Sequence, residues 1–295
     1  MRKIVVVMTL VMTFFGVMAQ NNVSDKFPDF PGATKIALWP DGAPTKNGLE
    51  GTHVRVQPTW AENLSEAHLY VYPAEKPNGQ VVLACPGGAY WGVAFRTEGH
   101  DFANWLNDQG VTLAVLHYRM PNHHPEVPLE DGRRAIELIR EHAAEWGADP
   151  AQVGVMGFSA GGHFAATLAT LYGEAKWRPD FQILFYPVIT MTEATHGGSR
   201  ENLLGDAQTP DNIFHYSLEN QVNTQTPPTL LILASDDDVV PPVNSYNYAA
   251  ALSSHHVPVS MLVFPKGGHG FGFHDQPYKH LWQELMVDFL ASQRR

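Results

Sequence analysis

Short apolar runs recur along the chain, and between them lie stretches whose apolar residues repeat at near-helical spacing. Val81-Val82-Leu83-Ala84 and Leu230-Leu231-Ile232-Leu233 are apolar at every position, as strands buried on both faces should be. Strands are predicted over residues 53–57, 66–72, 80–85, 111–117, 152–157, 181–186, 229–234 and 259–264. Helices are predicted over 101–108, 129–146, 160–172, 243–254 and 277–292. Gly110, Gly147 and Gly173 stand where the first three helices stop. This alternation implies an α/β fold: a mainly parallel sheet of about eight strands with helices on both faces. The first strands are joined by short turns such as Pro77-Asn78-Gly79, so that edge is expected to be antiparallel. Residues 20–50 are rich in Pro, Gly, Asn and Asp without periodicity and read as an arm over the surface. Residues 187–228 are the least regular, with a short helical piece near 212–218. A long insertion between two sheet strands is usually functional, and this one is placed to roof a site.

The 295 residues suit one sheet-centred domain, expected over 20–295, and are too few for two domains and a linker. With 44% hydrophobic and 17% charged residues, the chain can bury a large core. The formal net charge of -11 repels phosphate backbones, which argues against nucleic acid as a partner. Arg2 and Lys3 precede an almost wholly apolar run, Ile4 to Met18, and Val17-Met18-Ala19 offers small-residue cleavage before Gln20. That pattern predicts a signal peptide over 1–19 and export to the periplasm or beyond. The run is shorter than the roughly 20 residues of a membrane span. No second long apolar run exists, so no membrane attachment is expected after cleavage. Cys85 is the one cysteine, so no internal disulfide is expected; it closes an apolar run and reads as a small buried side chain.

Four segments carry candidate chemistry. Gly157-Phe158-Ser159-Ala160-Gly161 has the pattern G-x-S-x-G, after an apolar strand and before a small-residue helix. A nucleophile there sits on a sharp strand-to-helix turn, and the helix N-terminus favours the negative charge that forms on attack. A serine hydroxyl is a weak nucleophile and needs a base. Of 15 histidines, His269 lies in Gly267-Gly268-His269-Gly270, just after the last predicted strand, where such a base belongs. His274 and His280 are its competitors further on. The acid that orients the base belongs after the preceding strand, where Asp236, Asp237 and Asp238 are adjacent, and composition does not choose among them. Pro86-Gly87-Gly88-Ala89-Tyr90-Trp91 follows the third strand; Pro86 has no N–H, so oxyanion donors are expected at Gly88 and Ala89, with Ala160 supplying another.

Taken in order, Pro86-Gly-Gly-Ala-Tyr90, Tyr118-Arg-Met-Pro121, Pro128-Leu-Glu-Asp131, Gly157-Phe-Ser-Ala-Gly-Gly-His163, Asp237-Asp-Val-Val-Pro241 and Gly267-Gly-His-Gly-Phe271 resemble the exported acetylxylan esterase-like α/β-hydrolases. These are relatives of the dienelactone hydrolase and prolyl oligopeptidase groups, and the resemblance covers about residues 35–292. It implies the α/β-hydrolase fold and Asp237 as the acid, three positions before the valine of a D-x-x-V-P pattern. It further implies a carbohydrate O-acetyl ester as substrate, on xylan above all. Pro86 replaces the histidine usual before Gly-Gly, a variant associated with this esterase subgroup.

Tyr90 and Trp91 are the candidate substrate-binding residues; with Phe95, Phe271 and Phe273 they flank the motif loops, where aromatics either stack on a sugar or seal a pocket. His163 and the pair Arg119 and Asp131 read as structural hydrogen bonding rather than as substrate contacts. The adjacent pairs His123-His124 and His255-His256 lack metal-ligand spacing, and there is no dinucleotide fingerprint, so neither metal nor cofactor is expected. Two rival readings share the motifs. A prolyl-oligopeptidase-like exopeptidase would need a propeller-sized domain before the hydrolase domain, and a non-catalytic binding protein would have lost a triad member.

Overall fold

The computed structural model describes residues 23–294; the signal peptide expected over 1–19 lies outside them. Among the described residues, eight strands form the central sheet. They are β1 Thr34–Ala37, β2 His68–Tyr72, β3 Val81–Cys85, β4 Thr112–His117, β5 Val153–Phe158, β6 Gln182–Phe185, β7 Thr229–Ala234 and β8 Val259–Phe264. The order across the sheet is β1-β2-β4-β3-β5-β6-β7-β8. Pairing is antiparallel at β1–β2 and β2–β4 and parallel from β4 to β8.

The sheet's alternation builds two cores. Leu83, Val155, Leu184 and Leu231 point to one face, where they meet α2 (Glu126–His142), α3 (Ser159–Thr170) and α6 (Val243–Ser254). Val82, Met156, Ile183 and Ile232 point to the other, against α1 (Ala103–Asp108) and α7 (Lys279–Ser292). Both faces are covered, which is why β3, β4 and β5 are buried at every position and read as continuous apolar runs. Cys85 is one of these buried residues, and burial pushes its thiol well above the usual range.

Two expectations are corrected. The arm contributes a strand: β1 pairs with β2 at the sheet edge, and its residues are mostly exposed, so no apolar run marks it. The strand expected over 53–57 does not join the main sheet. Arg55–Val56 pairs with Ala61–Glu62, and that strand with Gly92–Val93, in a separate small sheet beside the loop after β3. The insertion folds into α4 (Gly197–Leu204) and α5 (Pro210–Tyr216).

Register places the chemistry. Cys85 at the end of β3 pairs opposite Gly157 in β5, so the Gly-Gly loop and the serine turn leave the sheet side by side. Phe185 at the end of β6 pairs with Phe158, which puts Tyr186 next to the serine turn. Ala234 pairs with Phe264, so the acid and histidine loops also emerge together. All four segments sit beyond the carboxyl ends of parallel strands, where open α/β sheets bind ligands.

Candidate active site

The serine turn is dictated by close packing. Phe158 is extended (φ -128°, ψ 131°), and Ser159 then enters the left-handed region at φ 53° as α3 begins. A side chain at Gly157 would stand 2.2 Å from the Gly161 carbonyl oxygen, and one at Gly161 would stand 2.1 Å from that of Cys85. Only glycine lets the helix start so close to both strands. The positive φ at Ser159 costs on the order of 1–3 kcal/mol, a strain that recurs at functional sites.

Ser159 Oγ lies 2.8 Å from His269 Nε2, and His269 Nδ1 lies 2.7 Å from Asp237 Oδ2. A carboxylate only accepts, so the ring proton sits on Nδ1 and the lone pair on Nε2 faces the serine hydroxyl. The other carboxylate oxygen of Asp237 accepts the N–H groups of Val239 and Val240 at 3.0 and 2.9 Å, which fixes the group's plane. The three adjacent aspartates thereby separate. Asp237 is buried against His269, Asp236 is exposed and accepts Gly268 N–H at 2.9 Å, and Asp238 is exposed. His274 and His280 are exposed and take no part in the triad.

The Gly-Gly loop is held by its carbonyls. Gly87 O accepts Ala94 N–H at 2.9 Å, and Gly88 O accepts those of Trp91 and Gly92 at 2.9 and 3.1 Å. In a planar trans peptide the N–H points away from the carbonyl. Fixing these two carbonyls therefore fixes the N–H groups of Gly88 and Ala89, which have no partner among the described residues. Ala160, in the first turn of α3, offers a third N–H without an intrahelical acceptor. Gly87 is not in this set, because its N–H donates to Glu98 Oε2 at 2.7 Å.

Glu98 was invisible in a polar stretch of sequence, yet it is buried and links three loops. Its other oxygen accepts the Tyr186 hydroxyl at 2.8 Å, and that hydroxyl accepts Gly272 N–H at 2.9 Å. The Tyr186 ring stands edge-on to His269, centroids 4.8 Å apart. Burial raises the Glu98 carboxyl above the usual carboxylate range, against the pull of its two hydrogen bonds. The oxyanion loop, the end of β6 and the histidine loop thus share one buried carboxyl.

Tyr90, expected beside substrate, is corrected. It is buried, and its hydroxyl meets His163 Nδ1 at 2.8 Å. His163 Nε2 donates to Tyr216 O at 2.8 Å, so Nδ1 accepts from Tyr90 and the imidazole is a brace between the oxyanion loop and the insertion. Trp91 is 57% exposed beside the same loop and remains available to a ligand. Phe271 packs on Tyr186, and Phe273 on Phe102 and Trp282, so both seal the interior. Arg119 and Asp131 form a buried ion pair at 2.7 Å that also takes Trp39 Nε1–H. Among the described residues no group of three or more His, Cys, Asp or Glu is arranged to hold a metal ion.

A serine turn after the central strand, with acid and histidine following the last two strands, defines the class as a hydrolase of the α/β type. The chain belongs to the alpha/beta hydrolase fold family, whose profile matches residues 82–273. It is 38% identical over 228 residues to an acetylxylan esterase of Xylanibacter ruminicola, covering 72% of this chain and 47% of that protein. It is 37% identical over 205 residues to endo-1,4-beta-xylanase B of Butyrivibrio fibrisolvens, covering 64% of this chain and 32% of that one. The chain therefore spans less than half the length of these two relatives. The crystal structure of an acetyl ester-xyloside bifunctional hydrolase from Caldicellulosiruptor lactoaceticus superposes with a TM-score of 0.75 at 35% identity, covering 88% of this chain and 96% of that one.

Proposed function

We propose that this protein is an exported serine esterase that removes O-acetyl groups from carbohydrate, with acetylated xylan as its substrate. The observation that carries the reading is the continuous line from Asp237 through His269 to Ser159, at 2.7 and 2.8 Å. The likeness to an acetylxylan esterase and to an acetyl ester-xyloside hydrolase supports the substrate class.

The chemistry follows from the protonation states. His269 Nε2 takes the hydroxyl proton as Ser159 Oγ bonds to the acetyl carbonyl carbon, and Asp237 stabilises the imidazolium. The N–H groups of Gly88, Ala89 and Ala160 are the donors for the oxyanion. Collapse breaks the bond to the sugar oxygen, which leaves with the proton from His269. Water then adds to the acetyl carbon with His269 again as base, the bond to Ser159 Oγ breaks as His269 returns the proton to that oxygen, and acetate is released. Trp91 offers a flat apolar face to the sugar.

The test is acetate release from acetylated xylan, run beside p-nitrophenyl esters from two to eight carbons and a panel of peptide amides. Acetate from the glycan and a preference for the two-carbon ester are expected. Preference for the eight-carbon ester with no acetate from xylan, or faster cleavage of the amides, overturns the reading.

A further inference from the structure

The insertion is fastened on both sides to loops that carry the chemistry. Asn244, fully buried at the start of α6, accepts Ile189 N–H and Thr190 N–H at 3.0 Å each and donates to Ala194 O and Pro241 O at 2.9 Å each. Pro241 lies at the end of the acid loop. On the far side, Asn202 of α4 donates to Ala89 O at 2.8 Å, in the oxyanion loop. The run from Ala194 to Asn202 therefore spans from one loop to the other.

His196 lies in that span, as the residue that caps α4. Ser199 N–H donates to its Nδ1 at 3.2 Å, and Ser199 Oγ lies 2.9 Å from the same atom. A backbone N–H can only donate, so Nδ1 carries the lone pair and the ring proton sits on Nε2. Nε2 has no hydrogen-bond partner among the described residues. Burial first, and the neighbouring His269 second, hold the imidazole below the usual histidine range, and Asp237 is close enough to oppose them. His196 thus offers a neutral N–H donor beside the triad, with its other nitrogen committed to the helix.

We infer that His196 is a specificity-determining residue whose Nε2–H donates to an oxygen on the alcohol side of the ester. This rests on the esterase reading above. An acetyl group carries one oxygen besides the ester oxygen, and that carbonyl oxygen is taken by the oxyanion donors. A further donor gains nothing from the methyl group. It gains from an alcohol rich in hydroxyls, such as a sugar whose neighbouring hydroxyl is free, and a site built around such a bond disfavours the alcohol that lacks it.

The test uses two small esters that differ in the alcohol: glyceryl monoacetate, which has free hydroxyls, and propyl acetate, which has none. His196→Asn keeps a good cap for Ser199 N–H but removes the distant donor. The ratio of kcat/KM for glyceryl monoacetate to that for propyl acetate is expected to fall about tenfold in His196→Asn, the scale of one neutral hydrogen bond. An unchanged ratio, with equal losses on the two esters or with none, overturns the proposal and leaves the esterase reading standing. Failure of the wild type to cleave either ester overturns both. Cleavage of both without acetate from acetylated xylan removes only xylan as the substrate.

Discussion

His269 and His163 both lie around the helix that starts at Ser159, and each has both ring nitrogens engaged. His269 stands between a carboxylate at 2.7 Å and a hydroxyl at 2.8 Å, on a loop beyond the sheet. His163 stands inside the packed protein, between a phenol hydroxyl and a backbone carbonyl, each at 2.8 Å. The distances agree to within 0.1 Å and the chemistry is opposite. A carboxylate on Nδ1 supports the imidazolium that must form during attack. A carbonyl on one nitrogen and a phenol on the other bring no charge to offset an imidazolium, and burial holds His163 down to about 4. What makes a histidine a base or a brace is the charge its partners bring, together with its access to solvent.

Removing each ring tests that contrast most severely. His269→Ala is expected to lower kcat for p-nitrophenyl acetate by about 10⁴-fold or more, whereas His163→Gln, which keeps a donor and an acceptor, stays within about tenfold of wild type. Comparable losses in the two would erase the distinction. Asp237→Asn comes next. It keeps the shape of the side chain but presents a neutral amide to Nδ1, so a loss of about 10³-fold is expected, against less than about tenfold for Asp236→Asn and Asp238→Asn. Three equal losses would mean that the acid loop acts as one charged patch. A smaller effect belongs to the buried carboxyl that joins the loops. Glu98→Ala leaves Gly87 N–H and the Tyr186 hydroxyl without their acceptor, and kcat is expected to fall about 10²-fold with KM changed less. Tyr186→Phe breaks the same link, so the double variant should fall short of the product of the two single effects. Strict multiplication would show that the two residues act separately.

The last contrast concerns stability. The unfolded chain protonates His163 near 6.5 and the folded protein only near 4, so the unfolded state binds more protons between those values. Stability from the neutral ring is complete above about pH 6.5 and is lost as pH falls towards about 4, by up to roughly 3 kcal/mol. His100 and His117 shift the same way, through burial first, and act equally in wild type and in His163→Gln. Urea titrations at pH 7.5 and 4.5 should therefore show the stability gap between wild type and His163→Gln narrowing in acid. A gap that widens would mean that His163 is held protonated.

The contrast also marks where sequence reading reaches and where it stops. β7 coincides with its predicted bounds because a strand buried among neighbours leaves a continuous apolar run. β8 coincides as well, although it is an edge strand with only Phe264 fully buried, because Val259 and the run Met261 to Phe264 are apolar in sequence. Ser159 and His269 were legible because the strand, turn and glycines that place them are consecutive in the chain. β1 was missed because an edge strand with mostly exposed residues needs no apolar pattern. Glu98 was missed for a different reason. Its partners Gly87 and Tyr186 lie 11 and 88 positions away, and a glutamate beside Arg96 and Thr97 reads as surface until its burial is known. Tyr90 misled because an aromatic next to a Gly-Gly loop looks the same in sequence whether its hydroxyl faces a ligand or His163. The choice among Asp236, Asp237 and Asp238 came from resemblance, and the geometry supplies a physical ground for it: one side chain points inward and two point out.

The central claim is that a single activated serine, Ser159, forms the covalent intermediate. Its most direct test is to inactivate the enzyme with a p-nitrophenyl phosphonate ester, follow the loss of acetate-ester hydrolysis, and map the modified peptide by mass spectrometry. One phosphonyl group on Ser159, appearing in step with the loss of activity, is the predicted result. Modification at another residue, or hydrolysis that persists once Ser159 is fully blocked, contradicts the account.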